Sequence, residues 1–262
     1  TQARPTRQAT ASLPTEDPLP TASEPSASRT ARPRRMFGPG EVEIPILLYH
    51  HVDAVAGGRR YTISADLLRD QMQILADGGY ETVTISEVAA AIRSGSELPA
   101  RPIVVTFDDG NEDTYAEAFP ILSSYGFRGV VFAVGNRTGA KGFMTADELL
   151  ALVEAGWEIG SHGWSHVDLT TLGATQWRQE ILGSKLELER VLGAPVRAFA
   201  YPFGSATRAI IAKVAEYGYA LGAGLGSANH HDRGSVYYLG RREIYGYWTL
   251  EQFRTVLESS EQ

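Results

Sequence analysis

An α/β fold built on a parallel sheet is predicted by two features of this 262-residue sequence. Segments that read as strands and helices alternate about seven times, and the strand segments read as buried on both faces. The helical segments also close on a repeated sign: Gly79-Tyr80, Gly126-Phe127, Gly156-Trp157 and Gly218-Tyr219 each follow a helical stretch and precede a new apolar run. Glycine accepts the left-handed conformation that ends a helix, so this is the chemistry of a helix-to-strand loop.

In chain order, residues 1–42 come first and read differently from the rest. Within the first 40 residues six Arg face Glu16, Asp17 and Glu24, and seven of the 13 prolines fall among Ala, Ser and Thr. With so little apolar surface to bury, this stretch is expected to be a disordered tail or linker, and residues 43–262 the folded catalytic domain. Residues 1–40 carry net +3 and leave -10 to the remainder of a chain of net -7, which argues against a nucleic-acid partner. No apolar run is long enough to span a membrane. The absence of cysteine excludes disulfides and thiolate metal sites. A Pro/Thr/Ser tether ahead of a folded domain, in a chain that starts at Thr1, predicts an extracytoplasmic protein, secreted, periplasmic or tethered to the cell surface, with its signal or anchor outside this chain.

The first strand is expected over 44–49, where Ile44-Pro45-Ile46-Leu47-Leu48-Tyr49 runs into His50-His51. Ser64 is the natural N-cap of a helix over 64–77, with Leu67, Leu68, Gln71, Met72 and Leu75 near helical spacing. Further strands are expected at 81–84, 102–107, 129–134, 157–160, 197–201, 219–223 and 236–244. Helices are expected near 86–94, 112–124, 145–155, 174–192, 206–217 and 249–259.

Either an open doubly wound sheet or a closed barrel satisfies this alternation. No Gly-x-Gly-x-x-Gly turn follows the first strand, so dinucleotide binding has no support. In a barrel, His50, Asp108/Asp109, His162/His166 and Tyr201-Pro202-Phe203-Gly204 all fall at the C-terminal ends of strands, the rim where such folds assemble sites. The fold expected is therefore a distorted (β/α)7-8 barrel with parallel strands.

The chemistry centres on Ile103-Val104-Val105-Thr106-Phe107-Asp108-Asp109-Gly110 and on Ser161-His162-Gly163-Trp164-Ser165-His166. Adjacent carboxylates at the end of a buried strand repel, so a cation or a proton is needed there. Two His and one Asp make a ligand set for a catalytic divalent metal with an open position. One carboxylate suffices as ligand, which leaves the other to take a proton from water. Successive strand residues face opposite ways, so Asp108 and Asp109 should differ in role. His50 is the natural general acid, with His51 the competing choice.

Thr106-Phe107-Asp108-Asp109-Gly110, the Ser-His-x-x-x-His of 161–166 and Phe199-Ala200-Tyr201-Pro202-Phe203-Gly204 resemble, in order and separation, three motifs of the polysaccharide deacetylase family, the NodB-homology domain of carbohydrate esterase family 4. The resemblance covers roughly residues 43–246. It implies Asp108 as catalytic base, Asp109, His162 and His166 as ligands of one divalent metal, usually zinc with cobalt or nickel as substitutes, and the Phe203 N–H as an oxyanion donor. It also implies the distorted barrel.

Two departures stand out. Where the family's third motif carries an Arg that orients the base, this chain has Ala200, and Arg241 or Arg242 could supply that charge from the late strand. The late Leu-x-His that usually provides the acid is missing, while Leu48-Tyr49-His50 supplies the pattern at the N-terminal end. That arrangement is similar to the circularly permuted branch typified by deacetylases of poly-β-1,6-N-acetylglucosamine. The fourth motif has no match.

The expected function is metal-dependent removal of N-acetyl groups from N-acetylglucosamine residues of a polysaccharide, with a biofilm-type poly-β-1,6-N-acetylglucosamine favoured over peptidoglycan or chitin-type oligomers. O-acetyl ester hydrolysis and an inactive carbohydrate-binding scaffold are the competing expectations. Tyr201, Phe203, Tyr245, Tyr247 and Trp248 are candidate stacking surfaces for sugar rings. The chain is expected to act as a monomer.

Overall fold

The structure is a computed structural model that describes residues 33–55 and 58–258. Seven strands form a closed parallel barrel: β1 (Ile46–Tyr49), β2 (Pro102–Asp109), β3 (Val130–Ala133), β4 (Glu158–Ser161), β5 (Ala198–Ala200), β6 (Leu221–Leu225) and β7 (Leu239–Glu243). Each of β1 to β6 pairs with strands on both sides, and β7 closes the ring by pairing with β6 and β1. The strand expected over 81–84 is reduced to Glu81–Thr82, which lies parallel to the start of β2.

Period-two alternation explains how the barrel fills. Ile46, Val104, Val130, Phe132, Ala198, Ala200, Leu221, Ala223 and Leu239 form one buried cluster, the barrel interior. Their neighbours in sequence, among them Leu47, Tyr49, Val105, Phe107, Val131 and Phe199, belong to a second cluster with the helices outside. Both faces of β1, β2, β3 and β5 are therefore apolar, which is why these segments read as continuous hydrophobic runs.

The helices follow the caps written in the sequence. In α1 (Ala65–Asp77) the Leu67 N–H donates to Ser64 Oγ at 3.1 Å, and Leu68, Met72 and Leu75 are buried. Capping boxes start α2 (Ile85–Ser94) at Thr84 with Glu87 and the helix Ala146–Glu154 at Thr145 with Glu148. Gly79, Gly126, Gly156 and Gly218 all have φ between 69° and 84°. The aromatics after them, Tyr80, Phe127, Trp157 and Tyr219, are buried, so each loop is pinned by the ring that follows its left-handed turn. The helix expected at 112–124 begins with a wider π-type turn, Thr114–Ala118, before α-helix Phe119–Ser124.

The expected boundary at residue 42 is corrected by ten residues. Strand Arg34–Phe37 pairs antiparallel with Ser96–Pro99, and Glu41–Glu43 pairs with His230–Asp232. Phe37 and Val42 are 6% and 4% exposed and share the interior cluster with Ile85, Val88 and Ile92 of α2. Together these segments close the N-terminal end of the barrel. The rest of the tail, residues 1–32, lies outside the described residues. No helix among the described residues is long and apolar enough to cross a membrane.

Candidate active site and metal centre

β2 runs two residues further than its apolar segment, so both carboxylates belong to the strand end. Alternation then sends Asp108 inward, in line with Val104 and Thr106, where it is 2% exposed. On β7 the inward row continues from Leu239 to Arg241, which is 1% exposed. Arg241 Nη1 and Nη2 donate to Asp108 Oδ1 and Oδ2 at 2.6 and 2.8 Å. Nη1 also donates to Thr106 Oγ1 and Nε to the Gly224 carbonyl. Its guanidinium lies 5.0 Å from the Phe132 ring centre. That ring leans over Gly160, where a Cβ would come within 2.5 Å of it. Burial alone raises the Asp108 pKa, but the Arg241 guanidinium outweighs it through its charge and its hydrogen bonds and holds the carboxyl at about 2.

Arg242, one residue on, faces away from the barrel interior and donates through Nη2 to the Ser227 carbonyl. Of the two arginines, the structure brings Arg241 to Asp108. Ala200 lies on the barrel interior and offers no charge, and its carbonyl accepts a hydrogen bond from His162 Nδ1 at 2.9 Å.

That hydrogen bond fixes the His162 tautomer: Nδ1 carries the proton, and Nε2 presents its lone pair to the carboxylates. His162 Nε2 is 3.9 Å and His166 Nε2 3.3 Å from Asp109 Oδ1. One ligand atom from each of Asp109, His162 and His166 lies within 4.8 Å of the others. Asp109 Oδ1 is buried and accepts no hydrogen bond. An orphaned buried carboxylate oxygen beside two imidazole nitrogens is costly unless a cation sits among them, so this donor set fits a small divalent metal.

Asp109, His166 and Phe203 have φ of 76°, 60° and 60°, and they are the non-glycine residues with positive φ among the described residues. Such conformations are rare and persist where surrounding structure imposes them. All three line one cleft of about 420 Å³ together with His50, Asp108, His162 and Arg241.

His50 follows β1 on the cleft wall, its ring 4.8 Å from that of Tyr61. Burial lowers its pKa, Asp108 and Asp109 pull it back up, and Arg241 and His162 lower it again, leaving it below the ordinary histidine value. His51 Nδ1 is 2.7 Å from Asp113 Oδ2, and this hydrogen bond raises the His51 pKa. His51 lines the cleft too and borders the groove beyond it. His230 and His231 sit at the other end of the barrel, on the strand that pairs with Glu41–Glu43.

The Phe203 ring is 59% exposed and packs 4.8 Å from His166. Across the cleft, Tyr61 is 41% exposed, a wall residue that no sequence pattern singles out. Arg60 lies 5.1 Å from the rings of both Tyr61 and Tyr245, and Tyr245 stacks on the exposed Tyr247. Tyr201, expected as a stacking surface, is fully buried: the alternation of β5 sends it outward under the helices, and its hydroxyl donates to the Tyr237 carbonyl. Trp248 is partly buried against Tyr245.

The family model described as polysaccharide deacetylase matches residues 95–222. That span contains Asp108, Asp109, His162, His166 and Phe203, and leaves out His50 and Arg241. YxkH of Bacillus subtilis (strain 168), assigned by name to the polysaccharide deacetylases, is 27% identical over 180 residues, which are 69% of this chain and 63% of that protein. Poly-β-1,6-N-acetyl-D-glucosamine N-deacetylase of Escherichia coli (strain K12) is 35% identical over 89 residues, 34% of this chain and 13% of that protein. The chain thus spans less than two thirds of the length of either relative. Among solved structures, BC0361, a polysaccharide deacetylase from Bacillus cereus, superposes with a TM-score of 0.73 at 25% identity, over 83% of this chain and 69% of that one.

Proposed function

The chain belongs to the polysaccharide deacetylase family, and on that premise we propose that it hydrolyses the N-acetyl groups of N-acetylglucosamine residues in a polysaccharide, releasing acetate and leaving a free amino sugar. The observation that carries this reading is the pairing of two unlike carboxylates at one strand end. Asp108 is clamped by Arg241, while Asp109 Oδ1 is left without a hydrogen bond beside His162 and His166.

In this reading Asp109, His162 and His166 hold one divalent cation, zinc by preference. When bound it supplies Lewis acidity toward the acetamide carbonyl and lowers the pKa of water toward about 7. Asp108 takes the proton from the attacking water as the new carbon–oxygen bond forms. Because Arg241 keeps it ionised and fixes both of its oxygens, the base is in the right charge state and orientation before substrate arrives. The Phe203 N–H, on the turn that keeps φ at 60°, donates to the oxyanion of the tetrahedral intermediate. His50 protonates the sugar nitrogen as the carbon–nitrogen bond breaks, and burial, by lowering its pKa, makes its protonated form the stronger acid.

Poly-β-1,6-N-acetylglucosamine is the favoured substrate, supported by the 35% identity to the Escherichia coli N-deacetylase and by a cleft histidine supplied from the first barrel strand. We place substrate and protein outside the cytoplasm. The clamp on Asp108 counts against an inactive scaffold, since a buried guanidinium aimed at a base has no need in a module that merely binds sugar. Acetate release from β-1,6-linked and β-1,4-linked N-acetylglucosamine oligomers tests the proposal. Release from the β-1,6 series at the higher rate is expected, and release from neither would overturn the N-deacetylase reading.

A further inference from the structure

The two imidazoles of the centre sit on a loop that is held from behind. Glu180 lies in the helical segment 174–192, within the π-wound stretch Arg178–Gly183, and is 7% exposed. Its Oε2 accepts from the Trp164 and Ser165 N–H groups at 3.1 and 3.0 Å, and its Oε1 from the Ser165 hydroxyl at 2.6 Å. One turn on, Ser184 Oγ donates to the Gly163 carbonyl at 2.8 Å and pairs with Ser161 Oγ at 2.7 Å. Gly163 packs against Pro202 and Glu180, where a Cβ would lie 3.6 Å from Oε2. One helical segment therefore grips every residue between His162 and His166.

Sequence did not single out Glu180, and the mechanism above does not use it. A carboxylate buried on neutral partners is an expensive way to hold a loop. Its advantage is that it only accepts, so all three donors can be met at once, which an amide cannot do. The residue after Ser165 is His166, whose φ of 60° is disfavoured for any side chain with a Cβ. Tying down Trp164 and Ser165 fixes the chain on entry to that strained residue, and in that strained conformation His166 Nε2 comes to 3.3 Å from Asp109 Oδ1.

We propose that Glu180 is the positioning residue of the metal centre: by holding the Trp164 and Ser165 backbone it keeps His166 in its left-handed conformation and so completes the ligand set. The inference rests on the reading of Asp109, His162 and His166 as metal ligands. Partners that orient a ligand typically carry about 10- to 100-fold in metal affinity.

The test is titration of the chelator-stripped chain with Co2+, following both affinity and the ligand-field absorption of the bound ion. The expected result is one ion per wild-type chain, binding weakened about 10- to 100-fold in Glu180→Ala with an altered absorption envelope, and partial recovery in Glu180→Gln, which keeps an accepting oxygen. Ser165→Ala, which removes the hydroxyl bond alone, should weaken binding by a smaller factor and carries the test if Glu180→Ala does not fold. Wild-type affinity and spectrum in a folded Glu180→Ala chain, or in Ser165→Ala where that variant carries the test, overturn the inference while leaving the metal reading intact. A wild-type chain that takes up no Co2+ overturns the metal reading and this inference with it.

Discussion

Arg241 on β7 reaches past β1 to grip both oxygens of Asp108 on β2, at 2.6 and 2.8 Å, inside a barrel where neither side chain is more than 3% exposed. Removing the guanidinium takes away the main opposition to burial at this carboxylate, so its pKa must rise. Arg241→Met is expected to lose about 100-fold in kcat/KM near neutrality, and its activity to fall away at a higher pH on the acid side than that of the wild type. A pH–rate profile checks this, and an unshifted acid limb would contradict the assigned role. Arg241→Lys, which cannot make the two-pronged contact, should recover part of the rate.

The same pair makes a statement about stability. The Asp108 pKa falls from 3.8 to about 2 on folding, so its contribution is fully present above the unfolded value and is lost as pH drops through the folded one. The contribution is about 2 kcal/mol, and it should disappear between about pH 4 and pH 2. Denaturant melts of wild type and Asp108→Asn over that range check it. The stability difference between the two should shrink by this amount as the pH falls.

Separating turnover from metal binding distinguishes the two carboxylates. Asp108→Asn should abolish acetate release while the chain still takes up one ion. Asp109→Ala and His162→Ala should lose the ion itself. Elemental analysis of the purified variants beside an acetate assay reads both quantities, and a metal-free Asp108→Asn chain would break the division of roles.

His50 is proposed to meet only the leaving nitrogen. His50→Ala is expected to lower kcat about 10²- to 10⁴-fold with metal content unchanged. A His51→Ala variant, which removes the ring bonded to Asp113, should keep kcat within about tenfold. A larger loss in His51→Ala than in His50→Ala would exchange the two assignments.

Much of this architecture is legible in the sequence because it rests on local rules. The four Gly-aromatic signs marked helix ends, since a left-handed glycine and a ring that must be buried are both local demands. The inward placing of Asp108 follows from counting by twos from Val104. The same count from Leu239 selects Arg241 over Arg242, although composition alone left the two equal.

What sequence missed depends on partners distant in the chain. Residues 33–42 look like more of the Pro- and Arg-rich tail, yet Phe37 and Val42 find cover against α2, and their strands pair with segments about 60 and 190 residues away. Tyr201 reads as a free ring beside Phe203 until the strand's alternation turns it under the helices. Tyr61 and Glu180 have no sequence pattern of their own and owe their places to the way loops and helices meet at the rim.

One divalent ion on Asp109, His162 and His166 is proposed to make this barrel an N-deacetylase. Stripping the full chain with chelator and returning Zn2+ in sub-stoichiometric steps, while measuring acetate release from a β-1,6-linked N-acetylglucosamine oligomer, tests this. Release is expected to vanish on stripping, to rise in proportion to added metal and to stop rising at one equivalent per chain. Undiminished release from the stripped chain, or full activity in His162→Ala, would contradict it.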